Sequence, residues 1–226
     1  MAVTALDIEG LFTSPVHASA GAADRVSVRQ LAPLTDQEIP QGFAGWVEKR
    51  QREYRAGRHH ARAALRDAGC AEAEIPRGMD GLPQFPPEFS GSITHTGHSK
   101  TFAAAAVCRG PTQIGLDAEF LRPLAEGMVE LILTPGERAL GLSGNSDGAP
   151  YHPLLAFSAK EAFYKCVYPR CRQRLGFHDA RVWLRSAENA FTVALENRPS
   201  AELPEHLEGR YLIKEGLIIS AVTWPA

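Results

Sequence analysis

The sequence lacks a long hydrophobic run, an excess of basic charge and any paired cysteine motif. Its longest apolar stretch, residues 102–108, is too short to span a bilayer, and residues 1–10 lack the basic start and apolar core of a secretory leader. The 24 Lys and Arg residues against 26 Asp and Glu give a net charge of −2, which argues against binding to bulk nucleic acid. We therefore expect a cytoplasmic protein that binds neither membranes nor nucleic acid.

Cysteine-based metal sites are missing as well. No Cys-x-x-Cys pair occurs, so we expect reduced thiols and no structural zinc. His95 and His98 stand without accompanying cysteines or a HExxH helix, and we interpret neither as a metal ligand. The four cysteines are Cys70, Cys108, Cys166 and Cys171.

What the sequence does contain is two short acidic segments. The first, residues 115–119, reads Gly-Leu-Asp-Ala-Glu. In an extended backbone it places Gly115, Asp117 and Glu119 on one face, because side chains alternate along a strand. Carboxylates on one face repel each other, so the pair predicts a cation between them or one raised pKa. Taken alone, however, the pattern is typical of an ordinary solvated sheet edge.

The second segment, residues 157–165, reads Phe-Ser-Ala-Lys-Glu-Ala-Phe-Tyr-Lys and predicts a helix. In a helix, Ser158, Glu161 and Lys165 share one face and Lys160 flanks them. A carboxylate and two ammonium groups that point at one ligand resemble a magnesium and polyphosphate site. Taken alone, this pattern too is typical of an exposed face with an intrahelical ion pair. The predicted apolar stripe of the helix is Leu155, Ala159, Ala162, Phe163 and Cys166.

Together and in this order, the segments resemble the phosphopantetheinyl transferases. The arginine-rich residues 50–65, the Ser-Ile-Thr-His block at 92–95 and the Leu-Gly-Phe-His-Asp-Ala block at 175–180 extend the resemblance. It is to the larger, two-lobed members that activate surfactin and enterobactin synthetases, and is closest to actinobacterial ones. Several ordered blocks argue against a chance match. The first forty-odd residues, including a predicted loop over 13–23, carry no such signal.

The order of elements predicts an α+β fold. Each half has a helix followed by short strands with hairpin-like links, and no sequence repeat is visible. The resemblance implies two lobes, residues 1–110 and 111–226, each a small mostly antiparallel sheet on helices, related by a pseudo-twofold axis with coenzyme A between them. We predict helices at 44–68, 135–142 and around 157–165, a loop over 141–150, and turns at 96–100 and 215–216. We predict strands at 92–96, 101–107, 113–119, 181–184, 191–195, 210–214 and 217–222.

The resemblance implies a reaction in which the serine hydroxyl of an apo acyl or peptidyl carrier protein attacks the β-phosphorus of coenzyme A. Asp117, Glu119 and Glu161 would hold magnesium, or manganese in its place, and Lys160 and Lys165 would bind the diphosphate. The catalytic set is thus Glu161, Lys160 and Lys165. Either Glu161 or a metal-bound water held by it would take the serine proton, and we favour Glu161. Lys160 could do so only with a lowered pKa, which the neighbouring carboxylate opposes.

The resemblance also assigns residues to coenzyme A. Arg50, Arg58 and His95 would bind the 3′-phosphate, Arg77 would line the same pocket, and Ser92 would contact the diphosphate. Planar guanidinium groups suit phosphate, although a solvated helix face also explains the arginines. Without the other blocks, a capped strand-end histidine is the favoured interpretation of His95. Many relatives carry lysine where Arg77 stands, so in this chain a planar guanidinium replaces a flexible point charge.

The sequence also offers candidates for the surface that binds the carrier protein. Arg170, Arg172 and Arg174 are candidates for docking an acidic carrier helix, and a solubilising turn explains them equally well. Chain length and the two-lobed pattern predict a monomer. Abundant Ala, Arg and Gly, with the actinobacterial resemblance, suggest polyketide, nonribosomal peptide, siderophore or lipid synthases as the context.

Two alternatives remain open. A magnesium-dependent phosphohydrolase acting on coenzyme A would use the same carboxylates, but the residue 92–95 block gives it no support. A catalytically silent module that binds coenzyme A or carrier protein is disfavoured because Asp117, Glu119, Glu161, Lys160 and Lys165 are all present.

Overall fold

A computed structural model describes residues 6–23, 31–70, 73–97, 101–141, 152–196, 198, 200 and 202–226. Most of the predicted loop over 141–150, and the end of the predicted turn over 96–100 with His98, lie outside this range. The chain forms two compact units, Met1–Ile114 with Pro225–Ala226, and Gly115–Trp224. The architecture is α+β, with antiparallel strands packed on helices in each unit.

The first unit combines one long helix with a three-stranded sheet in the order β1-β3-β2. Its elements are β1 (His17–Ala22), α1 (Glu48–Asp67), β2 (Phe89–Gly97) and β3 (Thr101–Arg109). The predicted helix and the two predicted strands are confirmed. The helix begins later than predicted because Phe43–Gly45 forms a separate 3-10 turn before it.

The prediction of a loop over residues 13–23 is wrong. His17–Ala22 forms β1, which pairs antiparallel with β3 and sets His17 opposite Val107. Its sequence, His-Ala-Ser-Ala-Gly-Ala, contains no β-branched or aromatic residue, so no local propensity marks it as a strand. Pairing with the neighbouring strand makes it one.

Small residues bring α1 close to this sheet. Ala103, Ala104, Ala105 and Ala106 of β3 are all fully buried. On the helix, a Cβ added at Gly57 would lie 2.7 Å from Ile93 Cγ2, closer than atoms pack. The alanine strand and the helical glycine therefore allow a close approach of helix and sheet that larger side chains would block.

The second unit contains a five-stranded sheet in the order β4-β8-β7-β6-β5. Its strands are β4 (Gln113–Phe120, from the unit boundary), β5 (Ala180–Arg185), β6 (Ala190–Leu195), β7 (His206–Lys214) and β8 (Leu217–Trp224). Its helices are α2 (Met128–Ile132), α3 (Pro135–Ala139) and α4 (His152–Cys171). The predicted turn at 215–216 is confirmed, since Lys214 pairs with Leu217 and both turn residues have positive φ, 53° and 76°.

Helix α4 supplies the core of this unit. Every residue of its predicted apolar stripe is at most 1% exposed. Gly115 of β4 permits the contact with the helix, because a Cβ there would lie 1.9 Å from the carbonyl oxygen of Ala162. The face of β4 that carries Gly115, Asp117 and Glu119 is thus turned toward α4.

A short repeat is present after all. Residues 34–38 and 133–137 share the pattern Leu-Thr-x-x-Glu, and in both the threonine is the N-cap residue of a short helix whose third residue is the glutamate. Both glutamates, Glu38 and Glu137, are fully buried. The expectation that no repeat is visible is therefore wrong at this one motif.

In the first unit, Glu38 joins a loop, the helix and a later segment. Its Oε2 accepts hydrogen bonds from the Thr35 amide at 3.2 Å and from Arg62 Nη1 at 2.9 Å. Its Oε1 accepts one from the Ile75 amide at 3.1 Å. A buried carboxylate needs such donors, because an unpaired charge in the interior is costly.

In the second unit, Glu137 repeats this arrangement. Its Oε2 accepts hydrogen bonds from the Thr134 amide at 2.6 Å and from Lys160 Nζ at 2.8 Å. Its Oε1 accepts one from the Val182 amide at 2.7 Å. Each unit thus holds a buried glutamate between the amide of the N-cap threonine, a cation of the long helix and an amide further along the chain.

All four cysteines are free thiols. Burial raises the pKa of Cys108 and that of Cys166, so these two favour the unreactive protonated form. Among the described residues, no helix combines the length and the apolar character needed to cross a bilayer.

Candidate active site

The centre of the candidate site is Asp117 on β4, whose side chain is almost fully buried. Lys165 reaches it from α4 and places Nζ 2.6 Å from Asp117 Oδ1 and 3.2 Å from the Leu116 carbonyl oxygen. The close approach of helix and strand at Gly115 makes this contact possible. Strand and helix thus bring together one carboxylate from the first acidic segment and one lysine from the second.

Glu161 belongs to the same cluster. Burial raises the pKa of Glu161, Lys165 opposes the shift, and the negative charge of Asp117 adds to it. The charges of Asp117 and Glu161 therefore interact with each other, and both interact with the ammonium of Lys165. Such a cluster favours either binding of a further cation or a proton on Glu161.

Glu119, the third predicted metal ligand, makes an ion-pair contact with a neighbouring arginine. Its carboxylate lies 4.0 Å from Arg122 Nη2, at the edge of ion-pair distance. In the part of the chain that the structure describes, no three His, Cys, Asp or Glu side chains are grouped closely enough to form a metal site. Asp117 and Glu161 offer carboxylate oxygens, the ligands that magnesium prefers, and the repulsion between them suits a divalent cation.

Lys160 has a different environment from that predicted for it. Its Nζ lies 2.8 Å from each of three acceptors: the carbonyl oxygens of Ile132 and Phe177, and Glu137 Oε2. The side chain is 0% exposed. Because an ammonium has three protons, these contacts use its full donor capacity, and binding a diphosphate would require breaking them. The contacts support a positioning role for Lys160.

The predicted anion-binding residues lie in the first unit. Arg50 Nη1 lies 2.7 Å from His95 Nε2, and since a guanidinium only donates, this nitrogen of His95 is the acceptor. The other ring nitrogen, Nδ1, faces Glu53 Oε2 at 3.5 Å, and Glu53 also pairs with Arg50 at 3.5 Å. Helix α1 and strand β2 therefore bring Arg50 and His95 together, with Glu53 as their shared partner.

Arg58 is more deeply placed. It is 5% exposed, donates from Nε to the Ile75 carbonyl oxygen at 2.6 Å and lies over the ring of Tyr54. Burial lowers the pKa of Arg58, although its guanidinium stays protonated at neutral pH. Ser92 is also buried, in β2.

Arg77 is exposed and lies over the ring of Trp46, with its Nε 3.4 Å from the Gly81 carbonyl oxygen. Trp46 and Glu53 were not among the predicted site residues, and neither was Glu137. The aromatic residues at 43, 46 and 54, beside an arginine-rich segment, are the sequence signal that could have identified Trp46.

Two family models match this chain. Residues 39–108 match the 4′-phosphopantetheinyl transferase N-terminal domain, and residues 113–218 match the 4′-phosphopantetheinyl transferase superfamily. The chain belongs to the 4′-phosphopantetheinyl transferase superfamily. The predicted family, fold class and enzymatic activity are thereby confirmed.

Individual transferases resemble most of the chain. The 4′-phosphopantetheinyl transferase Npt of Nocardia iowensis is 32% identical over 189 residues, which cover 79% of this chain and 84% of that one. PptT of Mycobacterium tuberculosis is 31% identical over 201 residues, covering 85% and 86%. Svp of Streptomyces mobaraensis is 32% identical over 183 residues, covering 78% and 73%. The predicted resemblance to actinobacterial members is confirmed.

The predicted carrier-docking arginines of this transferase lie at and after the end of α4. Arg170, Arg172 and Arg174 are all exposed. Arg170 lies 4.6 Å from the ring centroid of Trp224, which limits its freedom, and Arg172 has a positive φ of 55°. These arginines present basic charge on the second unit, and their role in docking stays a prediction.

Proposed function

We propose that the protein transfers the 4′-phosphopantetheine arm of coenzyme A to a serine of an apo acyl or peptidyl carrier protein, by means of the cluster of Asp117, Glu161 and Lys165. The observation that carries this proposal is the contact between Lys165 and Asp117, with Glu161 in the same electrostatic environment, in a chain of this superfamily. Membership of the superfamily supports coenzyme A as the substrate.

In this reaction the serine Oγ forms a bond to the β-phosphorus of coenzyme A. The bond from that phosphorus to the oxygen shared with the α-phosphate breaks, and adenosine 3′,5′-bisphosphate leaves with the electron pair. The serine proton passes to the carboxylate of Glu161. Because burial raises the pKa of Glu161, this carboxylate is a better proton acceptor than an exposed glutamate.

The exposure of Lys165 supports a role in binding diphosphate oxygens, since its side chain is 30% exposed beside Asp117. Phosphoryl transfer depends mainly on alignment and on neutralisation of charge, which an ammonium supplies. Lys160, which we predicted for the same task, would act on this site by positioning α4 through its three buried hydrogen bonds.

Asp117 and Glu161 would hold magnesium, and Glu119 could complete the set by a change of side-chain rotamer. When bound, the metal supplies positive charge that neutralises the diphosphate. The geometry of Asp117 and Lys165 implies that the ammonium would then shift toward phosphate oxygens.

For the nucleotide end of coenzyme A, we propose that Arg50, Arg77 and His95 bind the 3′-phosphate. Arg50 and His95 are in contact, and Arg77 is exposed and held near the same tryptophan as Arg50. The burial of Arg58 and its bond to a backbone carbonyl support an indirect contribution from this residue. We propose that Ser92 contacts the diphosphate. We propose that Arg170, Arg172 and Arg174 bind the carrier protein. A cytoplasmic monomer, serving polyketide, nonribosomal peptide or siderophore synthesis, is the setting that we propose.

The test is intact-mass spectrometry of an apo carrier protein incubated with this protein, coenzyme A and magnesium. We expect the carrier to gain one phosphopantetheine group, the gain to disappear with a chelator, and Glu161→Gln to reduce it strongly. Failure to modify any of several acyl and peptidyl carriers would contradict the proposal. Loss of coenzyme A without carrier modification would instead support the phosphohydrolase alternative.

A further inference from the structure

Three aromatic rings pack together at the start of α1. The ring centroids of Phe43 and Trp46 are 5.3 Å apart, those of Trp46 and Tyr54 are 5.5 Å apart, and those of Phe43 and Tyr54 are 5.8 Å apart. Phe43 and Tyr54 are buried, whereas Trp46 is partly exposed. We call these three residues the aromatic cluster.

Arginines surround this cluster. Arg50 and Arg77 lie over the ring of Trp46, with Cζ 5.7 Å and 5.8 Å from its centroid. Arg55 lies 5.2 Å from the ring of Phe43 and Arg58 lies 4.2 Å from that of Tyr54. Trp46 is thus a single side chain that contacts two guanidinium groups from distant parts of the chain.

Like charges held this close repel each other. Burial lowers the pKa of Arg58, and the positive charge of Arg77 contributes to the lowering, as repulsion between two guanidinium groups does. The negative faces of aromatic rings offset part of this repulsion. A cation–π contact also uses no N–H donor, so the donors of the guanidinium remain available to an oxyanion.

Other contacts hold the same two arginines in place. Arg50 is paired with Glu53 and donates to His95, and Arg77 donates to the Gly81 carbonyl oxygen. Arg50 comes from the helix, however, and Arg77 from the segment before β2. Trp46 joins the two.

We propose that Trp46 is a positioning residue that holds Arg50 and Arg77 together for the 3′-phosphate, and so sets the preference for coenzyme A over 3′-dephospho-coenzyme A. The inference rests on the proposed function of these arginines. Trp46 need not touch the nucleotide, because it acts through the two guanidinium groups.

The test measures kcat/KM for carrier modification with each of the two substrates. Trp46→Leu removes the ring face, and we expect the preference for coenzyme A to fall roughly ten-fold, since two cation–π contacts are lost. The change should appear in KM for coenzyme A more than in kcat. Trp46→Phe retains a ring face and should restore most of the preference.

Trp183→Leu is the matched control. Trp183 is 39% exposed and lies 5.1 Å from Arg181 in the second unit, so this variant also removes one tryptophan–arginine contact. It should leave the preference between the two substrates as it is. If Trp46→Leu lowered kcat/KM equally for both substrates, or changed neither, Trp46 would be a packing residue only and the proposal would be wrong.

A binding measurement separates this inference from the proposed function. Calorimetry with adenosine 3′,5′-bisphosphate and with adenosine 5′-monophosphate requires no carrier protein and no transfer. Selective loss of the bisphosphate affinity in Trp46→Leu would uphold the inference even if no carrier were modified. Equal affinities of the unaltered protein for the two nucleotides would overturn it while leaving transferase activity possible.

Discussion

The same buried glutamate motif occurs in both units, but the cation that it binds differs between them. Glu38 and Glu137 sit at the same position of a Leu-Thr-x-x-Glu repeat, and each binds a cap amide, a helix cation and a later amide. The cation differs. In the first unit it is Arg62, which retains 12% side-chain exposure; in the second it is Lys160, which retains none.

This difference changes what the cation can do. Arg62 also donates to the carbonyl oxygens of Ala32 and Pro33, so it holds residues 32–33 against α1. Lys160 is adjacent in sequence to Glu161. Its hydrogen bonds to Ile132, Glu137 and Phe177 hold α4, which carries the candidate catalytic side chains, against these segments. A lysine that a sequence motif marks for catalysis is therefore placed where the other unit carries a structural arginine.

The largest effect is expected from Glu137→Ala. It would leave the ammonium of Lys160 buried without its carboxylate and should lower the free energy of unfolding by about 3–5 kcal/mol, as loss of one partner of a buried pair does. Urea denaturation followed by circular dichroism measures it.

The double variant Glu137→Leu with Lys160→Met is the control for this pair. Since it buries no unpaired charge, it should be more stable than Glu137→Ala. A double variant that is no more stable than the single one would show that the buried charge is not the cause of the loss.

The next prediction separates the two lysines of α4. Lys165→Gln should reduce kcat/KM for carrier modification by roughly 10²–10³-fold, the range for loss of one group that stabilises transition-state charge. Its unfolding free energy should fall less than that of Lys160→Met, because Lys165 is 30% exposed and the glutamine amide can still donate to the buried Asp117, whereas Lys160 is fully buried. For Lys160→Met we expect the reverse, a large loss of unfolding free energy and a smaller direct effect on kcat/KM. Equal stability losses in the two variants would remove the distinction we draw between them.

Glu38→Gln tests the milder case. We expect a loss of about 2 kcal/mol, less than for Glu137→Gln, because Arg62 retains some contact with water whereas Lys160 has none. Hydrogen exchange read by mass spectrometry should place the loss of protection in the first unit for Glu38→Gln and in the second for Glu137→Gln. A larger loss of unfolding free energy for Glu38→Gln than for Glu137→Gln would contradict this prediction.

The smallest effect that we predict is a loss of stability at acid pH, which should occur in the first unit because of His60. Burial lowers the pKa of His60 to about 4, and the neutral ring is hydrogen bonded at 2.9 Å to Ser19 of β1. Because the folded pKa lies below the unfolded value of 6.5, the unfolded chain binds more protons between these values. The stabilisation is complete above pH 6.5 and is lost as the pH falls toward 4.

By pH 5 we expect the first unit to have lost on the order of 1–2 kcal/mol from this source. Hydrogen exchange of the β1 and α1 amides at pH 7 and pH 5, corrected for the intrinsic rate, would detect it. His60→Gln should flatten the dependence, whereas His206→Gln, at an exposed position of the second unit, should leave it intact. A dependence that survives in His60→Gln would assign acid sensitivity to another group.

Much of the fold could be predicted from sequence because its signals are local. The apolar stripe of α4 has a helical period, and the turn at 215–216 contains a glycine, the residue that adopts positive φ most readily. Strand β1 could not be predicted, since alanine, serine and glycine have no strong strand preference and only β3 supplies its pairing. The Leu-Thr-x-x-Glu repeat was present in the sequence, but five residues with two variable positions are too few to be noticed without their shared contacts.

By itself, the sequence determined the family, the α+β class and the residue types at the site: paired carboxylates on a strand, a Lys-Glu helix and an arginine-rich helix. Those follow from the order and spacing of side chains along the chain. Only the tertiary structure decided which of two lysines on one helix is buried, because burial depends on what packs against that helix. It likewise decided that Trp46 meets two arginines 27 positions apart in sequence, Arg50 and Arg77, because cation–π contacts depend on distance in space.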